Sequence, residues 1–347
     1  MKQRQLGKNG PMISAIGIGA MSFSNFYGAT DEAQSHAILS TALDEGVTHI
    51  DTANAYGPHT SESVIGTFLA RQGKSRNELF SIATKAAITK DPETGARTFN
   101  NSAEHLESEL DGSLARLGVD HVDLFYVHRR DPSIPIEEVT ETLVGLIKKG
   151  KIRSFGYSEI APTSLRRANA IHHVAAVQSE YSLAVRFPEL GLVQSTAELG
   201  TALVAFSPVG RSLLTDRPCS PEKAETLPFL KINPRFQEPN LTANIEATRK
   251  FRELAADMGT SAAALSIAWL VHRADHIVPI PGTRSPDHLR EHCAGARLDL
   301  DAAAIAAIEE ALPLGWAHGD RYSQAQWIGP EKYLSLIHIS EPTRLRR

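Results

Sequence analysis

Three observations predict an α/β fold for this chain, a (β/α)8 TIM barrel: eight short apolar runs of strand length, helical patterns between them, and polar residues at the ends of several runs. The runs lie near residues 16–19, 47–51, 80–85, 123–127, 152–157, 175–178, 202–206 and 277–280. Eight strands that alternate with helices are typical of a closed parallel barrel with the helices outside.

The segment between the third and fourth strands illustrates the helical pattern. Asn101 is the expected N-cap, with Glu104 reaching back to it, and Gly118 is expected to end the helix. Between them, leucines recur at helical spacing at Leu106, Leu110, Leu114 and Leu117. Pro135 is predicted to open the next helix, which closes at Gly150.

Two segments fall outside the repeat. Residues 1–15, with Gly7 to Gly10 as the turn, are predicted to form a β-hairpin that closes the barrel floor. Residues 215–242 contain five prolines, which is too many for a regular element, and they follow strand seven, so we expect a flap at the mouth of the barrel. We expect one domain over residues 1–333.

Composition sets limits on location and partners. The chain has 347 residues, 22% charged residues and a net charge of −4, which gives no reason to expect a nucleic acid or a membrane as partner. The apolar run from Met12 to Phe23 is broken by Gly17 and Gly19, which favours a strand over a signal peptide. The two cysteines show neither metal spacing nor a disulfide framework, so we expect a cytoplasmic protein without a metal. We expect either a monomer or a homo-oligomer.

The polar residues at the strand ends are the main indication of function. Asp51, Lys85 and His128 end strands two, three and four, and Tyr56 lies just beyond Asp51. Strand ends and the loops after them converge on one mouth of such a barrel. A Lys85 ammonium beside Tyr56 is expected to lower the pKa of the phenol, with Asp51 holding the ammonium in place. His128 can donate a hydrogen bond, so the group can protonate an oxygen that becomes negative as hydride arrives.

The motif Asp-Thr-Ala-x-x-Tyr-Gly at residues 51–57, with a later lysine and histidine, resembles the aldo-keto reductase family over residues 3–330. Gly-Tyr-Ser-Glu at 156–159 and Gln-Ser-Glu-Tyr-Ser at 178–182 resemble a microbial and plant branch. The resemblance implies Asp51, Tyr56, Lys85 and His128 as a catalytic tetrad, with Tyr56 as general acid. It also implies a bound NADPH/NADP+ cofactor and a small-molecule carbonyl substrate.

The resemblance further implies a set of cofactor contacts. Ser158 and Gln178 would bond the nicotinamide carboxamide, Phe206 would stack on the ring, and Arg284 would hold the 2′-phosphate. The backbone N–H groups of 207–213 would wrap the pyrophosphate. The remaining expected contacts are Met21, Ser207, Pro208, Gly210, Leu213, Gly282, Thr283, His288 and Glu291. Loop residues Phe23, Tyr27, Tyr126 and Arg129 are expected to line the substrate pocket.

Three features depart from the family pattern. Glu159 and His292 stand where many members have Asn, which leaves their roles open. Residues 334–347 match nothing in the family and are similar to a translated sequencing adapter, so we expect a non-native tail.

Three other functions stay open at this stage. The first is an aldolase or lyase that forms a Schiff base on Lys85, although a lysine paired with Asp51 stays protonated and is a poor nucleophile. A metal-dependent barrel hydrolase is the second, but strand one offers no histidine. The third is a regulatory subunit that binds NADPH without turning it over.

Overall fold

The computed structural model describes residues 1–73 and 76–333. Its strands, numbered β1 to β12 in chain order, are Gln3–Gln5, Met12–Ser14, Ile18–Gly19, His49–Asp51, Ser81–Ala86, Ile88–Lys90, Arg97–Phe99, Val122–Val127, Ile152–Ser158, Ala176–Glu180, Ala202–Phe206 and Ile277–Pro279. Its helices, numbered α1 to α14, are Glu32–Glu45, Thr60–Arg71, Arg76–Leu79, Ala103–Leu117, Ile136–Lys148, Pro162–Ile171, Leu192–Leu199, Pro221–Glu225, Pro228–Lys231, Asn240–Ala247, Arg249–Asp257, Ala262–Arg273, Pro286–Arg297 and Ala302–Ala311.

The central sheet has eight parallel strands in the order β3-β4-β5-β8-β9-β10-β11-β12. Backbone hydrogen bonds join its two outer edges, because Gly17 N–H donates to Pro279 O at 2.9 Å and Gly19 N–H donates to Pro281 O at 3.1 Å. The sheet therefore closes on itself, and the predicted barrel is confirmed.

The predicted hairpin is also present. Strands β1 and β2 pair antiparallel, from Gln3 opposite Ser14 to Gln5 opposite Met12. Leu6 and Ile13 are buried in one apolar cluster with residues at the starts of β10 and β11. The starts of parallel strands lie at the floor of a barrel, so the hairpin closes the floor as expected.

Helix α4 begins one residue later than the sequence suggested. The cap is Ser102, whose side chain accepts the His105 N–H at 3.3 Å. The Asn101 side chain instead donates to Arg129 O at 3.0 Å and accepts the Asp131 N–H at 2.8 Å. The prediction of Asn101 as cap was wrong because this amide holds the loop after β8.

The flap after β11 contains more regular structure than expected. Within residues 215–242 lie α8, α9 and the start of α10, and Pro221 and Pro228 each occupy a first helical turn. A proline costs little there because the first N–H groups of a helix have no intrahelical partner. The flap packs around its own apolar cluster, which includes Leu213, Leu230 and Phe236.

Three further features of the described residues concern function. No single described helix is long and apolar enough to cross a membrane, and only the pair 240–257 and 262–273, bent by 88°, meets that test jointly. The same residues contain no group of three or more His, Cys, Asp or Glu side chains that could hold a metal ion. A cleft of about 540 Å³ lies at the floor, beside the hairpin, and no tetrad residue lines it.

Candidate active site

The four predicted catalytic residues lie at the same end of the barrel. Asp51 ends β4, and Tyr56 follows it in the turn before α2. Lys85 lies near the end of β5, and His128 comes directly after β8. All three strands are neighbours in the sheet, which is why the side chains meet although 77 residues separate Asp51 from His128 in the printed sequence.

Lys85 is the centre of the cluster. Its ammonium is fully buried and donates to Asp51 Oδ1, to Thr52 O at 2.8 Å and to Tyr56 Oη at 3.2 Å. The three acceptors use the three donors of the ammonium. The expected contact between Lys85 and the phenol is therefore present.

Asp51 has a second partner that links the tetrad to an expected cofactor residue. Gln178 Nε2 donates to Asp51 Oδ2 at 2.7 Å. Both carboxylate oxygens of Asp51 thus accept a hydrogen bond, one from an ammonium and one from an amide. Gln178, expected at the nicotinamide carboxamide, therefore also touches the tetrad.

His128 lies beside Tyr56 with its Nδ1 buried. The two rings meet edge to face, with centroids 5.8 Å apart and an angle of 83°. Within the described residues His128 Nδ1 has no hydrogen-bond partner. Buried polar atoms are usually hydrogen-bonded, so this nitrogen is an exception among the buried atoms of the site.

Burial and charge set the protonation states of Lys85 and Tyr56. Burial acts to lower the pKa of Lys85, but Asp51 and Tyr56 more than offset it, so this pKa is raised. Burial raises the pKa of Tyr56 by more than Lys85 lowers it. The expected net lowering of the Tyr56 pKa was therefore wrong, and the phenol is protonated at neutral pH. A protonated Lys85 also counts against the Schiff-base alternative.

The imidazole of His128 is also uncharged at neutral pH. Burial lowers its pKa well below the ordinary value, and the positive charges of Arg129, Lys85 and Arg97 act in the same direction. A neutral imidazole keeps one N–H donor and one acceptor nitrogen. His128 can therefore donate a hydrogen bond without itself acting as a strong acid.

The expected nicotinamide contacts lie at the ends of the next strands. Ser158 ends β9, and its hydroxyl accepts a hydrogen bond from Arg129 Nη1 at 2.9 Å. Phe206 ends β11 and is half-buried, and Ser207 after it has a φ of +52°. Met21 is half-exposed in the turn Ala20–Phe23 after β3. The expected contacts Met21, Ser158 and Phe206 thus all lie at or just after the ends of barrel strands, around the mouth of the barrel.

The loop 207–213 differs from the expectation in one respect. The N–H groups of Gly210, Ser212 and Leu213 donate to carbonyl oxygens inside the loop, at 2.9, 3.2 and 3.2 Å. They are therefore not free to bind a pyrophosphate in this conformation. The Leu213 side chain is buried in the flap cluster, and Pro208 O accepts a hydrogen bond from Ser266.

The residues after β12 follow the strand that is paired with β11. Arg284 Nη1 donates to Ala29 O at 3.0 Å, and Gly28 makes room for it, since a Cβ there would lie 2.8 Å from Nη1. Gly282 before it is exposed, whereas Thr283 is buried and its hydroxyl bonds the Ser285 backbone. Two expected adenosine contacts lie on α13, with different exposure: His288 is exposed and Glu291 is half-exposed.

His292, whose role the sequence left open, is buried on the same helix. Burial lowers the pKa of its imidazole to about 3. Within the described residues its Nδ1 has no hydrogen-bond partner. The ring is thus a neutral part of the protein interior.

The four expected pocket residues divide into two pairs. Tyr27 packs edge-on against Phe229 of the flap, and Arg129 lies between His128 and Ser158. The other two are buried, and Tyr126 lies in a strand rather than in the expected loop. Tyr126 lies in β8 and is fully buried, with its ring centroid 5.8 Å from Lys85 Nζ, and Phe23 is buried in the main core. Tyr126 therefore lies beneath the tetrad rather than on a pocket wall.

Glu159, whose role the sequence left open, pairs with a residue near the C-terminal end of the described chain. Arg321 Nη2 donates to Glu159 Oε2, and Arg321 Nη1 reaches Glu180 Oε2 at 3.2 Å. Glu159 has a φ of +59°, and its other oxygen accepts the Glu180 N–H at 2.8 Å. No sequence pattern could have predicted this contact, because 162 residues separate Glu159 from Arg321.

The closed barrel and the buried Asp–Lys–Tyr–His cluster at its mouth are typical of barrel enzymes, whose active sites lie at the ends of the strands. The aldo/keto reductase family model matches residues 15–313. The aldo-keto reductase yakc of Schizosaccharomyces pombe, whose name includes NADP(+), is 36% identical over 322 residues, which is 92% of this chain and 94% of that protein. The chain therefore belongs to the aldo/keto reductase family, and it is an oxidoreductase.

Two solved structures share the fold. A glycerol dehydrogenase from Gluconobacter oxydans superposes with a TM-score of 0.77 at 23% identity, covering 89% of this chain and 94% of that one. The holo form of an aldo-keto reductase from Bacillus halodurans gives a TM-score of 0.74 at 23% identity, covering 94% and 99%. At this identity the likeness supports the fold alone.

Proposed function

We propose that this chain reduces aldehydes and ketones to alcohols with NADPH, and that Tyr56 donates the proton. The observation that carries the proposal is the position of the Tyr56 hydroxyl, 3.2 Å from a buried ammonium that is itself paired with Asp51. A protonated phenol beside a fixed positive charge is suited to protonate an oxygen that becomes negative.

The residues around the mouth fit a nicotinamide dinucleotide. Phe206 offers a half-buried ring at the end of a strand. Within the described residues Arg284 forms no ion pair with a carboxylate, so its guanidinium is available to a phosphate. The yeast relative carries NADP(+) in its name, which favours the phosphorylated cofactor.

When bound, NADPH supplies a hydride to the carbonyl carbon. The chain itself holds the carbonyl oxygen and protonates it. Tyr56 gives its hydroxyl proton to that oxygen, and Lys85 stabilises the phenolate that is left. Asp51 fixes the ammonium, and the neutral His128 donates a hydrogen bond that orients the carbonyl.

The test is a screen of the full chain with NADPH and a panel of aldehydes, ketones and quinones. We expect at least one carbonyl compound to be reduced with one NADPH consumed for each alcohol formed. NADPH binding without turnover of any compound would favour a regulatory subunit instead. Trapping of a carbonyl compound on Lys85 with borohydride would favour the Schiff-base enzyme.

A further inference from the structure

Four charged side chains form a buried network at the mouth of the barrel: Glu159, Glu180, Arg211 and Arg321. Arg211 Nη2 donates to Glu180 Oε2 at 2.8 Å, and Arg321 bonds both carboxylates. The four side chains are between 1% and 6% exposed. Buried charges are tolerated only where they are paired, and here two anions meet two cations.

Aromatic rings enclose the two guanidinium groups of this network. Arg211 lies 5.5 Å from the ring centroid of Phe229 and 5.4 Å from that of Tyr322. Arg321 lies 4.6 Å from the centroid of Tyr322 and 4.7 Å from that of Trp327. Each guanidinium thus contacts two rings, and Tyr322 is shared. The rings exclude water from the ion pairs and so strengthen them.

The network joins parts of the chain that are distant in sequence. Glu159 follows β9, Glu180 ends β10, and Arg211 lies in the loop after β11. Phe229 belongs to α9 of the flap, and Arg321 comes from the segment after α14. The first three positions follow successive strands at the mouth where the proposed cofactor would bind.

Arg211 is the member closest to the proposed cofactor contacts. It lies within the loop 207–213 and has a φ of +52°, and Gly210 and Ser212 beside it also have positive φ values. A non-glycine residue in the left-handed region persists only where its surroundings hold it. The Glu180 carboxylate and the rings of Phe229 and Tyr322 keep Arg211 in this conformation.

Arg321 holds both carboxylates of the network in place and favours the charged form of Glu159. Burial acts to raise the pKa of Glu159, but Arg321, together with Arg129 and the Glu180 N–H, more than offsets it, so this pKa is lowered. Without Arg321, Glu159 would lose its guanidinium partner, and Glu180 would keep only Arg211. A buried carboxylate without a cation moves or takes up a proton.

We propose that Arg321 is a positioning residue for the cofactor: it holds Glu159 and Glu180 at the mouth and, through Arg211, fixes the loop 207–213. This inference rests on the proposed NADPH-dependent reduction, and it assigns the segment 320–333 a part in cofactor binding. Within the part of the chain that the structure describes, Arg321 contacts no tetrad residue, so it acts through other groups.

The test compares Arg321→Ala and Arg321→Lys with the wild-type protein. Because a loosened loop would no longer hold its other expected cofactor contacts, Ser207 and Pro208, in place, we expect Arg321→Ala to raise the Kd for NADPH about tenfold, within the range for residues that act indirectly. At saturating NADPH, kcat should fall by no more than about threefold, since the tetrad is unchanged. Lysine restores the charge but not the paired geometry, so Arg321→Lys should recover part of the affinity.

A matched control and a pH series separate positioning from general stability. Arg273 is also an arginine paired with a glutamate, at 3.1 Å, and it lies 5.3 Å from the Trp269 ring centroid, outside the network. Arg273→Ala should leave the Kd for NADPH unchanged. In Arg321→Ala the Kd should also depend on pH as Glu159 takes up a proton, which a purely structural role would not produce.

The outcomes are distinguishable. If the wild-type protein does not bind NADPH, both the proposed function and this inference fail. If it does bind and the Kd of Arg321→Ala stays within about twofold of the wild-type value, only the inference is overturned. Should Arg321→Ala not fold, Trp327→Leu keeps the ion pairs and removes one ring. It should raise the Kd about threefold, and an unchanged Kd would overturn the inference as well.

Discussion

Replacing Lys85 with methionine tests the tetrad where the structure is most explicit. The change keeps a buried chain of similar length and removes the donor that lies 3.2 Å from the Tyr56 hydroxyl. A hydrogen bond to a charged group contributes about 1.5–3 kcal/mol, and this one strengthens as the phenolate forms. We therefore expect the rate of carbonyl reduction to fall by roughly 10²-fold at the upper end of that range.

The same substitution also affects stability, because Asp51 is buried and loses its cation. Removing one partner of a buried pair costs about 3–5 kcal/mol of folding free energy. The double variant Lys85→Met with Asp51→Asn removes the unpaired carboxylate and should regain most of that loss. It should not regain activity, since the ammonium is still absent.

The assay is the NADPH-dependent reduction of a reactive aldehyde, measured beside denaturant unfolding of each variant. A Lys85→Met variant whose kcat/KM stays within about tenfold of the wild-type value would refute the coupling between Lys85 and Tyr56. Recovery of both stability and rate in the double variant would show that Lys85 is needed only to balance Asp51.

Two further predictions follow from the charges at the mouth. Reduction requires a protonated Tyr56 and a neutral His128. The pKa of Tyr56 is raised and that of His128 is lowered, so both groups keep the required form across neutral pH. We therefore expect kcat/KM to be constant between about pH 6 and about pH 9. A fall in rate between those limits would contradict the assigned protonation states. Arg284→Ala should weaken NADPH binding by about 1.5–3 kcal/mol and leave NADH binding nearly unchanged, as fluorescence titration would measure. Arg290→Ala, on helix α13 that follows Arg284, is the control, since Arg290 is exposed and pairs with Asp287 at 2.8 Å. Equal losses for both cofactors in Arg284→Ala would refute the role of Arg284.

The barrel and the tetrad could be predicted from the sequence for a simple physical reason. Parallel strands bring their carboxyl ends to one edge, so Asp51, Lys85 and His128 had to meet once three neighbouring strands were recognised. The hairpin followed from Gly7 to Gly10 between two short runs. In both cases the contact is set by local pattern and by strand order.

Contacts outside the repeat could not be predicted in this way. Arg321 comes from a segment without periodic pattern, and only the folded chain brings it to Glu159 and Glu180. The Tyr56 pKa was mispredicted because the sequence indicates a neighbouring charge but not the depth of burial, and burial is the larger effect. Asn101 was misassigned as a cap because the loop after β8 competes for its amide. The tail 334–347 lies outside the described residues, so its expected foreign origin stays a prediction.

The central claim, that Tyr56 is the proton donor, is tested most directly by Tyr56→Phe. The substitution keeps the ring that packs against His128 and removes only the hydroxyl. We predict that kcat for carbonyl reduction falls by at least about 10²-fold, the lower end for general acid catalysis. The Kd for NADPH, measured by fluorescence quenching on the same preparation, should stay unchanged. A Tyr56→Phe variant that keeps most of its activity would contradict the mechanism, because the proton would then come from another group.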